Sequence, residues 1–151
     1  MVRPIAVATV VSGTLDIVFA MILTVFFGRE IGSMLRYVGS GLVPQATEMG
    51  TGGAILGLLV HFALMAIMAT AYVLAARRMC VLVERPIQWG ILYGLATYAV
   101  MNLLVVPMRF GTPMPPSLRS VATQLFAHIV LVGIPIAFIA ARHFRARSAL
   151  A

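Results

Sequence analysis

Four long apolar runs constrain what this chain can fold into more than any other feature of its sequence. They cover residues 5–27, 52–76, 87–107 and 117–141, and each has the roughly 20 residues that a helix needs to cross the hydrocarbon core of a bilayer. Charged residues make up only 10% of the 151 residues, whereas soluble domains carry about 25%. The sequence therefore predicts an all-α integral membrane protein, a four-helix bundle in the lipid bilayer whose single transmembrane domain covers residues 1–151.

The first run has the position of a secretory signal peptide, but its length and composition favour an uncleaved span. The apolar region of a signal peptide has about 7–15 residues and ends at a cleavage site between small residues. The run over residues 5–27 is longer, carries Asp16 near its centre and ends in two phenylalanines. We therefore interpret it as the first of four spans.

A short amphipathic segment separates the first two runs. Its apolar residues recur at helical spacing, and Arg29, Ser33, Arg36 and Ser40 fall on the opposite side. This pattern predicts a helix over about residues 30–42 that lies in the membrane interface. Such a helix could cover one end of the bundle, or it could act as a gate.

Prolines and glycines predict how the spans end and how they pack. Residues 107–116 contain four prolines, so we expect a stiff loop that ends the third span at Pro107, with Ser117 as the N-cap of the fourth. Pro135 predicts a kink just beyond His128. The glycine pairs at 53 and 57 and at 90 and 94 predict close approach of neighbouring helices.

The chain has a net charge of +7, and all eleven of its positively charged side chains are arginines. Most of these arginines lie at the ends of apolar runs. In a soluble protein this charge would suggest nucleic acid, but here it indicates topology, and we expect no nucleic-acid partner. One end of the bundle would carry Arg3, Arg77, Arg78, Arg85, Arg142, Arg145 and Arg147, and the other end Arg29, Arg36, Arg109 and Arg119. The positive-inside rule then places both termini in the cytoplasm.

Each predicted span carries polar side chains on its inward face. The predicted polar layer consists of Asp16, His61, Tyr98, Asn102, Gln124 and His128. At 1.5 Å per residue, counting inward from the span ends places Asp16 and His128 at equal depth, with His61 and Tyr98 within about 3 Å of it. The shared depth favours a pair between Asp16 and His128.

This layer is compatible with several functions. Asp16 could exchange a proton with His61 or His128 during transport of a small solute. The two histidines could instead hold a b-type haem, or the layer could only join helices in an accessory subunit of a larger membrane complex. We predict no resident cofactor and no metal, and a homo-oligomer is expected because a bundle of this size encloses little volume.

Catalysis and cysteine chemistry find no support in the sequence. There is no HExxH motif, no nucleophile elbow and no pair of carboxylates, so an enzyme that acts on a lipid or on a quinone is a weaker alternative than those above. Cys80 is the only cysteine, which excludes an internal disulfide and a site built from several thiolates.

Short motifs over residues 55–142 resemble the YagU-like family of small bacterial inner-membrane proteins. They are Trp89-Gly90, Leu92-Tyr93-Gly94, Met101-Asn102, Pro107-Met108, Gly111-Thr112-Pro113 and Ala127-His128, after a second span that carries His61 and reaches Tyr72. The resemblance implies a four-helix protein of the bacterial inner membrane and no particular reaction. The family has a longer segment between its first two spans than this chain has.

Overall fold

The computed structural model describes residues 1–112 and 114–148, which form helices and no strand. Four helices are long and apolar enough to cross a bilayer, and we call them the first to fourth spans: Val2–Phe26, Gly50–Arg78, Pro86–Phe110 and Leu118–Ala146. The predicted all-α membrane bundle is confirmed. Pro113, predicted as part of the loop, and residues 149–151, predicted as the end of the domain, lie outside the described residues.

Three short helical segments connect the spans. The surface helix Ile31–Ser40 agrees with the predicted amphipathic segment and is followed by a 3-10 turn, Pro44–Thr47. The connecting helix Cys80–Glu84 joins the second and third spans. We call the end of the bundle with the surface helix the loop end. The other end, which we call the termini end, holds the start of the first span, the C-terminal end of the fourth span and the connecting helix.

The third span does not stop at Pro107, contrary to the sequence prediction. It continues to Phe110 and ends at Gly111, whose φ of 60° reverses the chain. A proline lacks the N–H that would bond to the carbonyl four residues earlier, which here belongs to Leu103. The helix accommodates this loss in a π-helical stretch, Ala99–Val105, which ends two residues before the proline.

The fourth span shows the same response to a proline, at the place where the sequence predicts a kink. A π-helical stretch, Ala127–Gly133, precedes Pro135 and contains His128. At the start of this span Ser117 acts as predicted, because its Oγ accepts a hydrogen bond from the Ser120 amide at 3.2 Å. Irregular π-helical turns are common at functional sites, and here they contain one polar residue each from the predicted layer, Asn102 and His128.

The third and fourth spans are in backbone contact through glycines. A Cβ atom on Gly94 would lie 2.5 Å from the carbonyl oxygen of His128 and from the Cα of Ile129. A Cβ on Gly133 would overlap the carbonyl oxygen of Gly90. The predicted glycine pair of the third span therefore packs on the fourth.

The glycine pair of the second span packs against the surface helix. A Cβ on Gly57 would overlap the carbonyl oxygen of Leu35, and a Cβ on Gly39 would lie 2.9 Å from the carbonyl oxygen of Gly53. The surface helix therefore packs tightly on the loop-end half of the second span, and a salt bridge of 3.4 Å joins its Arg36 to Glu30.

Two arginines fasten the short helices to distant parts of the chain. Arg109, at the end of the third span, donates hydrogen bonds to the carbonyls of Ser40 and Gly41 at 2.7 and 2.9 Å. Arg145, near the C-terminal end of the fourth span, donates to the carbonyls of Val83 and Glu84 at 2.7 and 3.0 Å. Both guanidinium groups satisfy carbonyls at a helix C-terminus, where a cation is favoured.

Apolar packing concentrates in the half of the bundle nearer the termini end. Val73, Val132 and Ile136 are fully buried there among small alanines from the first, second and fourth spans. Tyr93 donates a hydrogen bond to the Met68 carbonyl at 2.7 Å within this region. The polar residues and the cavities described below lie mainly in the other half, toward the loop end.

Candidate functional site

The first span turns one face toward the protein and one away from it. Ser12 and Gly13 are buried, whereas Val11 and Leu15 are 39% and 43% exposed. Asp16 lies on the buried side, with 18% of its side chain exposed. The inward face expected from the sequence is therefore the face that the fold buries, and it brings a carboxyl group into the interior of the bundle.

His61 of the second span lies against this face and makes two contacts with it. Its Nε2 is 2.9 Å from the carbonyl oxygen of Gly13, and its Nδ1 is 3.9 Å from Oδ2 of Asp16. Only 10% of the His61 side chain is exposed. Gly13 also packs closely on the residue after His61, since a Cβ at position 13 would lie 2.7 Å from the ring of Phe62.

The Gly13 contact fixes which nitrogen of His61 carries a hydrogen. A carbonyl oxygen can only accept, so Nε2 donates and must be protonated. Nδ1 then faces the Asp16 carboxyl group. If both were deprotonated, two acceptors would oppose each other without a hydrogen between them. A single proton on either the imidazole or the carboxyl group makes the contact attractive.

Two hydroxyl groups continue from Asp16 toward the termini end. The Oγ of Ser12 and the Oγ1 of Thr9 are buried and have no hydrogen-bond partner among the described residues. They precede Asp16 by four and seven residues, so they lie on the same side of the helix. Because buried polar groups are normally paired, each is a place where a water or a proton donor would be stabilised.

His128 of the fourth span has a different set of neighbours. Its Nε2 lies 3.4 Å from the amide nitrogen of Asn102, and the ring of Tyr98 meets its ring edge-on at a centroid distance of 6.0 Å. Tyr98 and Asn102 also line a cavity of about 340 Å³ that reaches Ser117 and Ser120 at the loop end. Asn102 therefore lies between His128 and this cavity.

The predicted polar layer thus consists of two separate groups and an outlying residue. Asp16 pairs with His61, and His128 lies beside Asn102 and Tyr98, so the pairing of Asp16 with His128 that depth favoured is not the one in the structure. Depth alone does not give the direction of a side chain around the bundle. Gln124 joins neither group and lines a larger cavity of about 590 Å³ between the first and fourth spans.

The haem alternative requires both histidines to present a nitrogen to one iron atom. In the structure, Nε2 of His61 is hydrogen-bonded to Gly13 and Nε2 of His128 lies beside Asn102. The two imidazoles are thus engaged with different neighbours, an arrangement that does not favour the haem alternative. In the part of the chain that the structure describes, no three His, Cys, Asp or Glu residues cluster in a way that could hold a metal ion.

Several groups of this site carry no sequence signal. The Gly13 carbonyl is a backbone atom, and a glycine on an apolar helix predicts only close packing. Arg29 and Arg119, which line the larger cavity, were interpreted from the sequence as markers of topology.

Comparison with known proteins adds no assignment to this geometry. The chain matches no family model, no curated protein and no solved structure. The resemblance to the YagU-like family therefore stays a prediction, and the functional argument depends on the site itself.

Proposed function

We propose that this protein is a multi-pass protein of the bacterial inner membrane that takes up and releases a proton at the Asp16–His61 pair while it transports a small solute. The observation that carries the proposal is the position of His61 between an obligate acceptor, the Gly13 carbonyl, and the Asp16 carboxyl group. Ionisable residues inside a membrane are costly and usually functional. This pair is arranged to share one proton.

The surroundings of the pair along the first span support this function. Toward the loop end, the larger cavity reaches Ala20, one helical turn beyond Asp16. Toward the termini end, the buried hydroxyl groups of Ser12 and Thr9 have no hydrogen-bond partner among the described residues and lie on the same side of the first span. Asp16 thus lies between residues that border a cavity and two hydroxyl groups that could pass a proton on.

NMR spectra of the labelled histidine rings in detergent test the pair directly. In Asp16→Asn an amide that can donate a hydrogen bond to Nδ1 of His61 replaces the carboxyl group. We expect the ring nitrogen resonances of His61 to move in this variant, because the group opposite its Nδ1 has changed. The ring resonances of His128 should stay where they are, because its polar side-chain neighbours are Asn102 and Tyr98.

The matched control is Glu48→Gln, which removes the same charge from an exposed position between the surface helix and the second span. It should leave all three histidines unchanged. Identical His61 ring resonances in wild type and Asp16→Asn would contradict the proton pair and would favour the alternative of an accessory subunit with structural polar contacts. A shift at His128 instead of His61 would contradict the pairing seen in the structure.

We also propose that both termini face the cytoplasm, since the termini end carries more arginines than the loop end. Alkaline phosphatase fused after Gly111 should be active, because the loop end would face the periplasm. The same enzyme fused at Ala151 should be inactive, and green fluorescent protein fused there should fluoresce. The opposite pattern would reverse the orientation.

A further inference from the structure

A cavity separates the first and fourth spans at the loop end. The two spans touch where the rings of Phe19 and Phe126 meet, with centroids 5.1 Å apart. Beyond this contact the helices enclose about 590 Å³ between the last turns of the first span and the first turns of the fourth. The volume is within the range of small-molecule sites.

The charged residues that line this cavity are arginines. Among the described lining residues these are Arg29 and Arg119, and none of the described lining residues is acidic. Glu30, next in sequence to Arg29, accepts a hydrogen bond from Ser33 at 2.8 Å and forms its salt bridge with Arg36. Among the described residues, neither Arg29 nor Arg119 has a carboxylate partner.

Arg119 is held in place without losing its hydrogen-bond donors. Its guanidinium carbon lies 5.1 Å from the centroid of the Phe27 ring, a cation–π contact across the mouth of the cavity. This contact uses the face of the guanidinium group and leaves the N–H groups at its edge available. The cavity thus has an arginine orientated by the protein but not neutralised by it.

The uncharged polar groups that remain available in the cavity can donate hydrogen bonds. Thr24 and Thr123 already donate to backbone carbonyls of their own helices at 2.7 and 3.0 Å. The Ser117 oxygen accepts from the Ser120 amide, which leaves its own hydrogen free. The Ser120 hydroxyl group and the Gln124 side-chain amide also line the cavity, and neither has a hydrogen bond to another described side chain. Two guanidinium groups and three such donors suit a ligand with several acceptor oxygens and a negative charge.

We propose that this cavity binds a phosphate or a similar oxyanion group, carried either by a free anion or by a lipid headgroup. Arginine binds such groups through two parallel N–H···O bonds, and Leu23, Phe27 and Met34 supply an apolar wall for the rest of a ligand. The site goes beyond the proton exchange proposed above. It would stand if that exchange were disproved, since it shares no residue with the Asp16–His61 pair.

Thermal unfolding of the purified protein in maltoside micelles, followed by circular dichroism, tests this site with two probes. One arm titrates inorganic phosphate against sodium chloride of equal ionic strength. The other adds phosphatidylglycerol or phosphatidylcholine to the micelles. We expect saturable stabilisation by phosphate, by phosphatidylglycerol or by both, and binding at least about tenfold weaker in the double variant Arg29→Gln/Arg119→Gln.

The control is Arg77→Gln/Arg78→Gln, which removes two arginines from the termini end and should bind as the wild type does. If the first double variant unfolds, Arg29→Lys/Arg119→Lys keeps both charges, and its weaker binding would show the loss of the bidentate geometry. A response to phosphate alone identifies a soluble oxyanion, and a response to phosphatidylglycerol alone identifies a lipid. No stabilisation beyond that given by chloride and phosphatidylcholine, or equal effects in both arginine variants, would overturn the proposal.

Discussion

Replacement of Gly133 by alanine should destabilise the bundle by about 3 kcal/mol or more, although the same change in an open helical position is normally favourable. Alanine forms helices better than glycine by about 1 kcal/mol. At position 133, however, the added methyl group would overlap the carbonyl oxygen of Gly90 and press on the backbone of Gly94. A rotating side chain can move away, whereas two packed backbones can separate only if the helices move apart.

The unfolding free energy can be measured by titration of mixed micelles with dodecyl sulfate, with helicity as the signal. Gly52→Ala is the matched control, because a Cβ at Gly52 meets no atom within 4 Å. It should leave stability unchanged or raise it slightly. A Gly133→Ala protein as stable as Gly52→Ala would show that the third and fourth spans do not pack through these glycines.

His61→Leu should cost about 3 kcal/mol, because it leaves the Asp16 carboxyl group buried without its partner. Asp16→Leu should cost much less, since His61 keeps its hydrogen bond to Gly13 and can stay neutral. The double variant Asp16→Leu/His61→Leu should be more stable than His61→Leu alone. Removal of both members of a buried pair is far less costly than removal of one.

The same micelle titration gives the coupling energy of this cycle, which we expect to exceed about 1 kcal/mol. His128→Leu combined with Asp16→Leu is the comparison cycle, and its two effects should add. Additive effects in the His61 cycle would show that Asp16 and His61 do not interact. Coupling in the His128 cycle would instead support the pairing of Asp16 with His128 that was predicted from their equal depth.

The membrane architecture could be predicted because the thickness of the bilayer sets the length of an apolar run that spans it, and helical periodicity sets which side is apolar. The surface helix was predicted from the same pattern, and its observed bounds, Ile31–Ser40, lie within the predicted segment. The end of the third span was not predicted correctly. Pro107 removes one hydrogen bond, but the helix continues past it because a π-helical stretch accommodates the missing bond. A local rule for proline says that a helix is disturbed, but not whether it stops.

The site was harder to predict than the spans. The six polar residues were identified as inward-facing, but depth along each helix leaves the rotation of helices about the bundle undetermined. In the structure, the Gly13 carbonyl holds Nε2 of His61 and leaves Nδ1 on the side of Asp16. The cavity between Arg29 and Arg119 depends on where two helices part beyond Phe19 and Phe126, a property of packing that no single segment encodes.

The arginines that cap the two short helices are synthesised later than the helices themselves. The surface helix is made before the third span, yet the side chain that satisfies its last carbonyls is Arg109. In the same way, the last carbonyls of the connecting helix are satisfied by Arg145, which belongs to the fourth span. While the chain leaves the ribosome, each connection is therefore made before its arginine. Its hydrogen bonds to that arginine form only when a later span has been inserted. We expect the two connections of newly made protein to be cleaved by protease more readily until the fourth span is in the membrane.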